Sequence, residues 1–172
     1  MPSLDDINAI TYPDVLSQFI SMSQSVGARV EELGNRSVDE LIRELFPDAG
    51  EIASNLPEVS IATRNPDTVQ DARELDGTDV GIIRGSFGVA ENGCIWIPQT
   101  MKEKAVCFIS ENLVIILHKE RIVHNMHEAY KLVEFDRYPY GTFISGPSKT
   151  ADIAQVLVMG AQAARTVTVV LY

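Results

Sequence analysis

The chain has 172 residues, of which 45% are hydrophobic and 22% charged, and its 24 acids against 14 bases give a formal net charge of −10. A chain of this size buries roughly 70% of its unfolded surface, enough for one core without disulfides, which excludes a disordered or low-complexity protein. The negative balance also excludes the basic footprint on which nonspecific nucleic-acid binding depends.

The first ten residues, MPSLDDINAI, carry two acids and lack the basic, then apolar pattern of a secretory leader. Residues 14–33 place Val15, Leu16, Phe19, Ile20, Met22, Val26, Val30 and Leu33 largely on one helical face, which predicts a single long amphipathic helix. Ser37 and Glu40 form an S-x-x-E capping box that opens a second helix ending before Pro47, with Leu41, Ile42, Leu45 and Phe46 as its buried stripe. Residues 50–79 are acidic and weakly patterned, with a short helix expected at 67–75. Apolar, β-rich runs at 80–83, 94–97, 105–109 and 113–118 then predict strands of one sheet. A helix at 119–133, a strand at 142–145, a helix at 148–159 and a strand at 166–171 complete the expectation. The last strand–helix–strand is read as a βαβ unit with parallel strands. No apolar run approaches the roughly 18 to 20 residues of a membrane span. A single cytoplasmic α/β domain over 1–172 is expected, with an acidic, largely helical part at 1–78 and a core sheet at 79–172.

Charge divides unevenly along the chain: residues 1–80 hold 16 acids and 5 bases, whereas 81–172 hold 8 acids and 9 bases. An anion site therefore belongs in the second part. The segment 141–153 leads a strand through Ser145, Gly146 and Pro147 to the expected helix start at Ser148, Lys149, Thr150 and Asp152. Free N–H groups at a helix start, hydroxyls and one ammonium would there welcome a phosphate or carboxylate. The same serines also serve as ordinary helix caps, with Asp152 answering the dipole. Pro147 stands where a P-loop needs lysine, so a Walker-type nucleotide site is excluded. Glu91, in the Ala90-Glu91-Asn92-Gly93 turn, is a second candidate as nucleophile, base or ligand anchor, and Asn92-Gly93 is equally a plain hairpin turn. His124 and His127 lie one helical turn apart beside Glu128, but match no zinc motif. His118 closes a very apolar strand, and strand C-termini are where α/β folds place ligands. Cys94 and Cys107 form no CxxC pair, so no chain-internal zinc or iron–sulfur site is encoded and no metal or cofactor is expected.

The run 141–153, with Ile144-Ser145-Gly146-Pro147-Ser148-Lys149-Thr150-Ala151-Asp152-Ile153 at its centre, resembles the C-terminal signature of the LUD domain family. Val158-Met159-Gly160 and the closing apolar strand 167–171 continue the likeness. The closest type is the short, cluster-free lactate utilization protein C. Ala90-Glu91-Asn92-Gly93 sits where such proteins carry A-E-T-G, and Glu120-Arg121-Ile122-Val123 matches their R-I-V segment. The resemblance spans about 79–172. Two departures stand out: Asn92 replaces a threonine, and Gln162 lies where the family has the histidine of G-x-H-G-P. An amide hydrogen-bonds but does not titrate near neutrality.

The resemblance implies an open, mostly parallel α/β sheet flanked by helices, like that of ribose-phosphate isomerases, glucosamine-phosphate deaminases and CoA-transferases. It implies a redox-silent subunit of L-lactate oxidation to pyruvate, working with iron–sulfur partner proteins. A small anion would be held by Ser145 to Thr150, with Asp152 and Gln162 contributing and Glu91 nearby. Two alternatives stay open. Glu91-Asn92-Gly93 reproduces the E-N-G turn on which CoA-transferases form an acyl-glutamyl intermediate, and the change at Gln162 suits a degenerate binding or assembly module. Self-association through the long amphipathic helix is a further expectation.

Overall fold

The computed structural model describes residues 9–150, 158–159 and 163–172. Its centre is a five-stranded, wholly parallel sheet in the order β1-β11-β6-β3-β2, formed by β1 (Arg29–Glu32), β2 (Ile52–Ala53), β3 (Val80–Arg84), β6 (Asn112–Leu117) and β11 (Thr166–Leu171). Continuous apolar sequences make the middle strands, because a parallel sheet is covered on both faces. Leu113 to Leu117 and Val167 to Leu171 are all buried. The α/β architecture expected from the sequence is thus present.

Alternating side chains of these strands build two cores. On one face, Val80, Ile82, Val114, Ile116 and Val170 pack against Val38, Leu41 and Ile42 of α2 (Val38–Leu45). The capping box read from Ser37 and Glu40 is formed, with both reciprocal hydrogen bonds present. On the other face, Ile83, Leu113, Ile115, Leu117, Val167 and Val169 meet Phe19 of α1 (Val15–Ser25), Ile95 and Ile97.

The second face is covered by a smaller sheet, ordered β7-β4-β5-β8, from β4 (Phe87–Val89), β5 (Ile95–Pro98), β7 (Ile122–Val123) and β8 (Gly141–Ile144). Behind it lies α4 (Met126–Leu132), whose Ala129 joins Phe87, Val89 and Val133 in a third cluster. Burying a large apolar side chain such as Phe19 stabilises the fold by roughly 1.5–3 kcal/mol relative to leaving it exposed.

Several elements differ from their sequence expectation. The helix expected over 14–33 stops at Ser25, because Gly27 takes φ 93° and the chain turns into β1, which pairs in parallel with β11. The apolar run at 105–109 is not a strand but the four-residue helix α3 (Val106–Ile109), tucked under β3. The expected helix 119–133 is divided: β7 comes first, and Asn125 then caps α4 by accepting from the Glu128 N–H at 3.0 Å. The short helix expected at 67–75 is a single 3-10 turn at Ala72–Leu75.

The largest correction concerns the closing βαβ unit. β8 is a strand, but it pairs antiparallel with β5 in the smaller sheet, Ile144 opposite Ile95 and Gly141 opposite Pro98. Where a helix was expected to open, β9 (Lys149–Thr150) pairs antiparallel with β10 (Val158–Met159). β8 and β11 therefore lie in different sheets and form no parallel crossover. Residues between β9 and β10, Asp152 among them, and Gln162 lie outside the described residues.

Candidate functional site

The turn that follows β8 lies at the N-terminal edge of the parallel sheet, beside the starts of β1 and β11. Three of its donors are engaged by the chain itself. The Ser145 hydroxyl donates to the Asn92 carbonyl at 2.9 Å, the Ser148 N–H donates to the Ala164 carbonyl at 3.0 Å, and the Lys149 ammonium donates to the Val26 carbonyl. Pro147 is buried. Gly146 has φ 67°, and a Cβ there would stand 2.6 Å from the Val26 carbonyl oxygen, so the turn is pressed onto the end of α1. Thr150 continues the strand, and no helix N-terminus stands at Ser148.

Glu91 sits nearby on the hairpin between β4 and β5. Gly93 at φ 67° and the Asn92 side chain, which accepts from the Cys94 N–H at 3.1 Å, make the expected tight turn. The Glu91 carboxylate is exposed and accepts from the Met126 N–H at 2.9 Å, at the start of α4. Burial pushes the neighbouring Cys94 thiol upward; the Ser145 hydroxyl pulls it back, and the Glu91 charge pushes it up again. Cys107 is buried more deeply, and burial pushes its thiol up to about 12. Thiols held in the protonated form are poor nucleophiles and poor metal ligands. His124 accepts the Tyr12 N–H on Nδ1 at 3.0 Å, and the Glu128 carboxylate accepts the His124 N–H at 2.8 Å. Among the described residues, no group of three His, Cys, Asp or Glu side chains is placed to hold a metal.

The opposite, C-terminal edge of the sheet is arranged differently. The parallel register sets Arg84 of β3 beside Ile116 of β6, and Leu117 of β6 beside Leu171 of β11. The residues that leave these strands, Gly85, His118 and Tyr172, therefore emerge together. Arg84, Ser86, His118, Glu120, Arg121 and Tyr172 line a cleft of about 420 Å³. Arg84 also borders two further hollows. One, of about 350 Å³, runs along Asn55, Leu56, Pro98 and Tyr138, and the other, of about 370 Å³, along Leu33, Val38 and Ile116.

Arg84 is the centre of this edge. Its guanidinium donates through Nη1 to the Tyr172 hydroxyl at 2.8 Å and through Nη2 to the Glu58 carboxylate, and it lies 5.7 Å from the Tyr172 ring centroid. Tyr172 in turn meets the His118 ring edge-to-face, with centroids 5.0 Å apart. His118 accepts the Glu120 N–H on Nδ1 at 3.2 Å, which assigns the ring proton of the neutral tautomer to Nε2. The Arg121 guanidinium makes no hydrogen bond or ion pair among the described residues. An arginine with a carboxylate-shaped partner, a second arginine and an imidazole donor together suit a carboxylate or phosphate.

Of these residues, sequence reasoning found His118 through its place at a strand end. It missed Arg84, Tyr172 and Glu58. The available signal was the same for Arg84 as for His118, a polar side chain ending a buried apolar run, and it recurs at Tyr172.

A family model described as the LUD domain matches residues 16–172. Among solved structures, the crystal structure of a DUF162 family protein from Deinococcus radiodurans is similar to this chain, with a TM-score of 0.72 at 15% identity, over 95% of this chain and 99% of that one. No curated protein matches. At that identity the structural likeness speaks for the fold, whereas the family model covers nearly the whole chain.

Proposed function

Because the chain belongs to the LUD domain family, we propose that it is a non-redox subunit of L-lactate utilization, of the lactate utilization protein C type, holding a small anion at the C-terminal edge of its parallel sheet. The observation that supports this reading is the convergence of Arg84, His118, Arg121 and Tyr172 on one cleft at the strand ends. Open α/β sheets receive ligands outside the carboxyl ends of their strands, where chain segments diverge and leave a crevice. In a protein whose net charge is −10, the two arginines that line that crevice, against the single carboxylate of Glu120, give an anion a local reason to approach.

Cys94 and Cys107 are too few to hold a cluster, so the electrons of lactate oxidation pass to the clusters of an iron–sulfur partner subunit, and this chain contributes binding and assembly. The turn from Ser145 to Lys149 has a structural part in this scheme, tying β8 to the end of α1. Affinity purification from cells grown on L-lactate tests the partnership. The expected result is co-elution of a protein with iron–sulfur absorbance; recovery of the chain alone, with normal growth on lactate after its deletion, overturns it.

A second reading keeps Glu91 as a nucleophile, supported by its exposed carboxylate on the E-N-G hairpin. An acyl-glutamyl intermediate would be attacked by CoA to give a glutamyl thioester, releasing the carboxylate of the acyl donor. Borohydride reduces such a thioester, so incubation with acyl-CoA followed by borohydride and peptide mapping at Glu91 decides it.

A further inference from the structure

Arg84 already carries an anion of the chain's own, which comes from the adjoining hollow of about 370 Å³ that Glu58, Arg84 and Tyr172 line together. Glu58, on the loop after β2, places its carboxylate on Nη2 of Arg84, and the two side chains are 37% and 38% exposed. Nη1 of the same guanidinium is held by the Tyr172 hydroxyl. That phenol therefore accepts from Arg84 and keeps its own O–H to donate. The Tyr172 ring meets that of His118 edge-to-face with centroids 5.0 Å apart, and His118 keeps its Nε2–H once Nδ1 accepts from the Glu120 N–H. The Arg121 guanidinium, without a partner among the described residues, lines the cleft of about 420 Å³ that shares Arg84 and Tyr172 with that hollow.

Resting on the anion-site reading above, we propose that Glu58 is a built-in competitor: its carboxylate occupies the place on Arg84 that the carboxylate of a small 2-hydroxy or 2-oxo acid takes when it binds. The chemistry fits on three counts. A carboxylate that displaces Glu58 meets the free edge of a guanidinium already oriented by Tyr172, so little side-chain ordering remains to be done. The 2-oxygen of such an acid, one carbon from the carboxylate, is an acceptor for the hydroxyl of Tyr172, a residue that borders both hollows. The released Glu58 moves into water, because its pair with Arg84 is more than a third exposed and is worth little on its own. The ligand thus exchanges one carboxylate for another on Arg84, and its net gain comes from the donors that Glu58 does not reach.

Such a competitor lowers apparent affinity by the fraction of molecules in which Arg84 is free. Removing the charge of Glu58 raises that fraction. Glu120 lines the adjoining cleft and makes no hydrogen bond or ion pair with Arg84 among the described residues, and so separates competition from general charge. The experiment titrates the full chain with pyruvate, L-lactate and inorganic phosphate, following the Arg84 side-chain Nε–H and the His118 ring by NMR. For Glu58→Gln, about three- to fivefold tighter binding of pyruvate and L-lactate is expected, and for Glu120→Gln less than about a twofold change.

Equal gains from both variants would show only a weakened negative field, and no gain from Glu58→Gln would show that Glu58 does not compete; either overturns the competitor while leaving the site. Arg84→Gln and Arg84→Lys test the site itself. Loss of binding in both, with unfolding curves close to the parent, is expected. Binding that survives in both, or an absence of binding by all three anions in the parent chain, overturns the site reading and the competitor with it. Tighter binding of phosphate but not of the two acids overturns the assignment of ligand class.

Discussion

The two edges of the parallel sheet hold similar chemistry and put it to different use. At the N-terminal edge, Ser145, Ser148 and Lys149 crowd a glycine-containing turn, and each has its donor on a carbonyl of the chain, at Asn92, Ala164 and Val26. At the C-terminal edge, Arg84, His118, Arg121 and Tyr172 line an open cleft, and some of their donors have no acceptor among the described residues. A donor bonded to a carbonyl of its own chain is spent on the fold, whether half-buried at Ser145 or exposed at Lys149; a donor left to solvent at a strand end is available to a ligand. The difference lies in where the partners are, not in which residue types are present.

The largest expected effect breaks the N-terminal edge. Gly146→Ala forces a Cβ into the left-handed region and against the Val26 carbonyl at 2.6 Å, combining about 1–2 kcal/mol of backbone strain with about 1–3 kcal/mol of overpacking. Urea unfolding is expected to show a loss of roughly 2–5 kcal/mol, with affinity for L-lactate unchanged in the fraction still folded. A changed affinity with normal stability would exchange the roles of the two edges.

The complementary change is Arg84→Gln. It removes charged hydrogen bonds to an anion, each worth about 1.5–3 kcal/mol, so binding of L-lactate is expected to fall at least about tenfold in a calorimetric titration. Its cost in stability is expected to stay below about 1 kcal/mol, because the Glu58 partner is exposed to water.

The sheet itself was legible because its middle strands are unbroken apolar runs, as at Leu113 to Leu117, and the Ser37–Glu40 capping box was legible because both partners lie in four consecutive residues. β1 was not, since Val30 and Leu33 extend the helical spacing of α1 and only Gly27, with its positive φ, marks the turn. The helix expected at Ser148 rested on cap-like residues, of which the Ser145 hydroxyl, the Ser148 N–H and the Lys149 ammonium bond in the fold to carbonyls far away in sequence. The C-terminal-edge cleft shows the same limit. Arg84, His118 and Tyr172 come together through the register of β3, β6 and β11, and Glu58 reaches Arg84 across 26 positions, so no local motif contains the cluster.

Lys149→Ala sharpens the comparison at smaller scale. The side chain loses its hydrogen bond to Val26 but leaves no buried charge, so the expected destabilisation is below about 1 kcal/mol and lactate affinity is expected to match the parent. A loss of affinity here, equal to that of Arg84→Gln, would restore the N-terminal turn as the anion site.

The smallest expected effect is a pH dependence confined to the N-terminal edge. Asp79, just ahead of β3, accepts from the Glu51 and Gly50 N–H groups at 2.8 Å each, and these backbone donors, the Glu51 one first, hold its carboxyl below the usual range, with the Arg64 charge adding a lesser pull. Because its folded value is depressed, ionised Asp79 stabilises the fold above the unfolded pKa of about 3.9, and that contribution fades as pH falls through the folded value. Asp79→Asn is therefore expected to be less stable than the parent at pH 7 and to converge with it in the strongly acid range, in parallel urea titrations across pH. The cleft at the other edge is unaffected by this carboxyl, so the ratio of lactate affinities between the two proteins is expected to stay constant over the range in which both remain folded. A ratio that drifts with pH would mean that the two edges are coupled through β3, which begins directly after Asp79 and ends at Arg84.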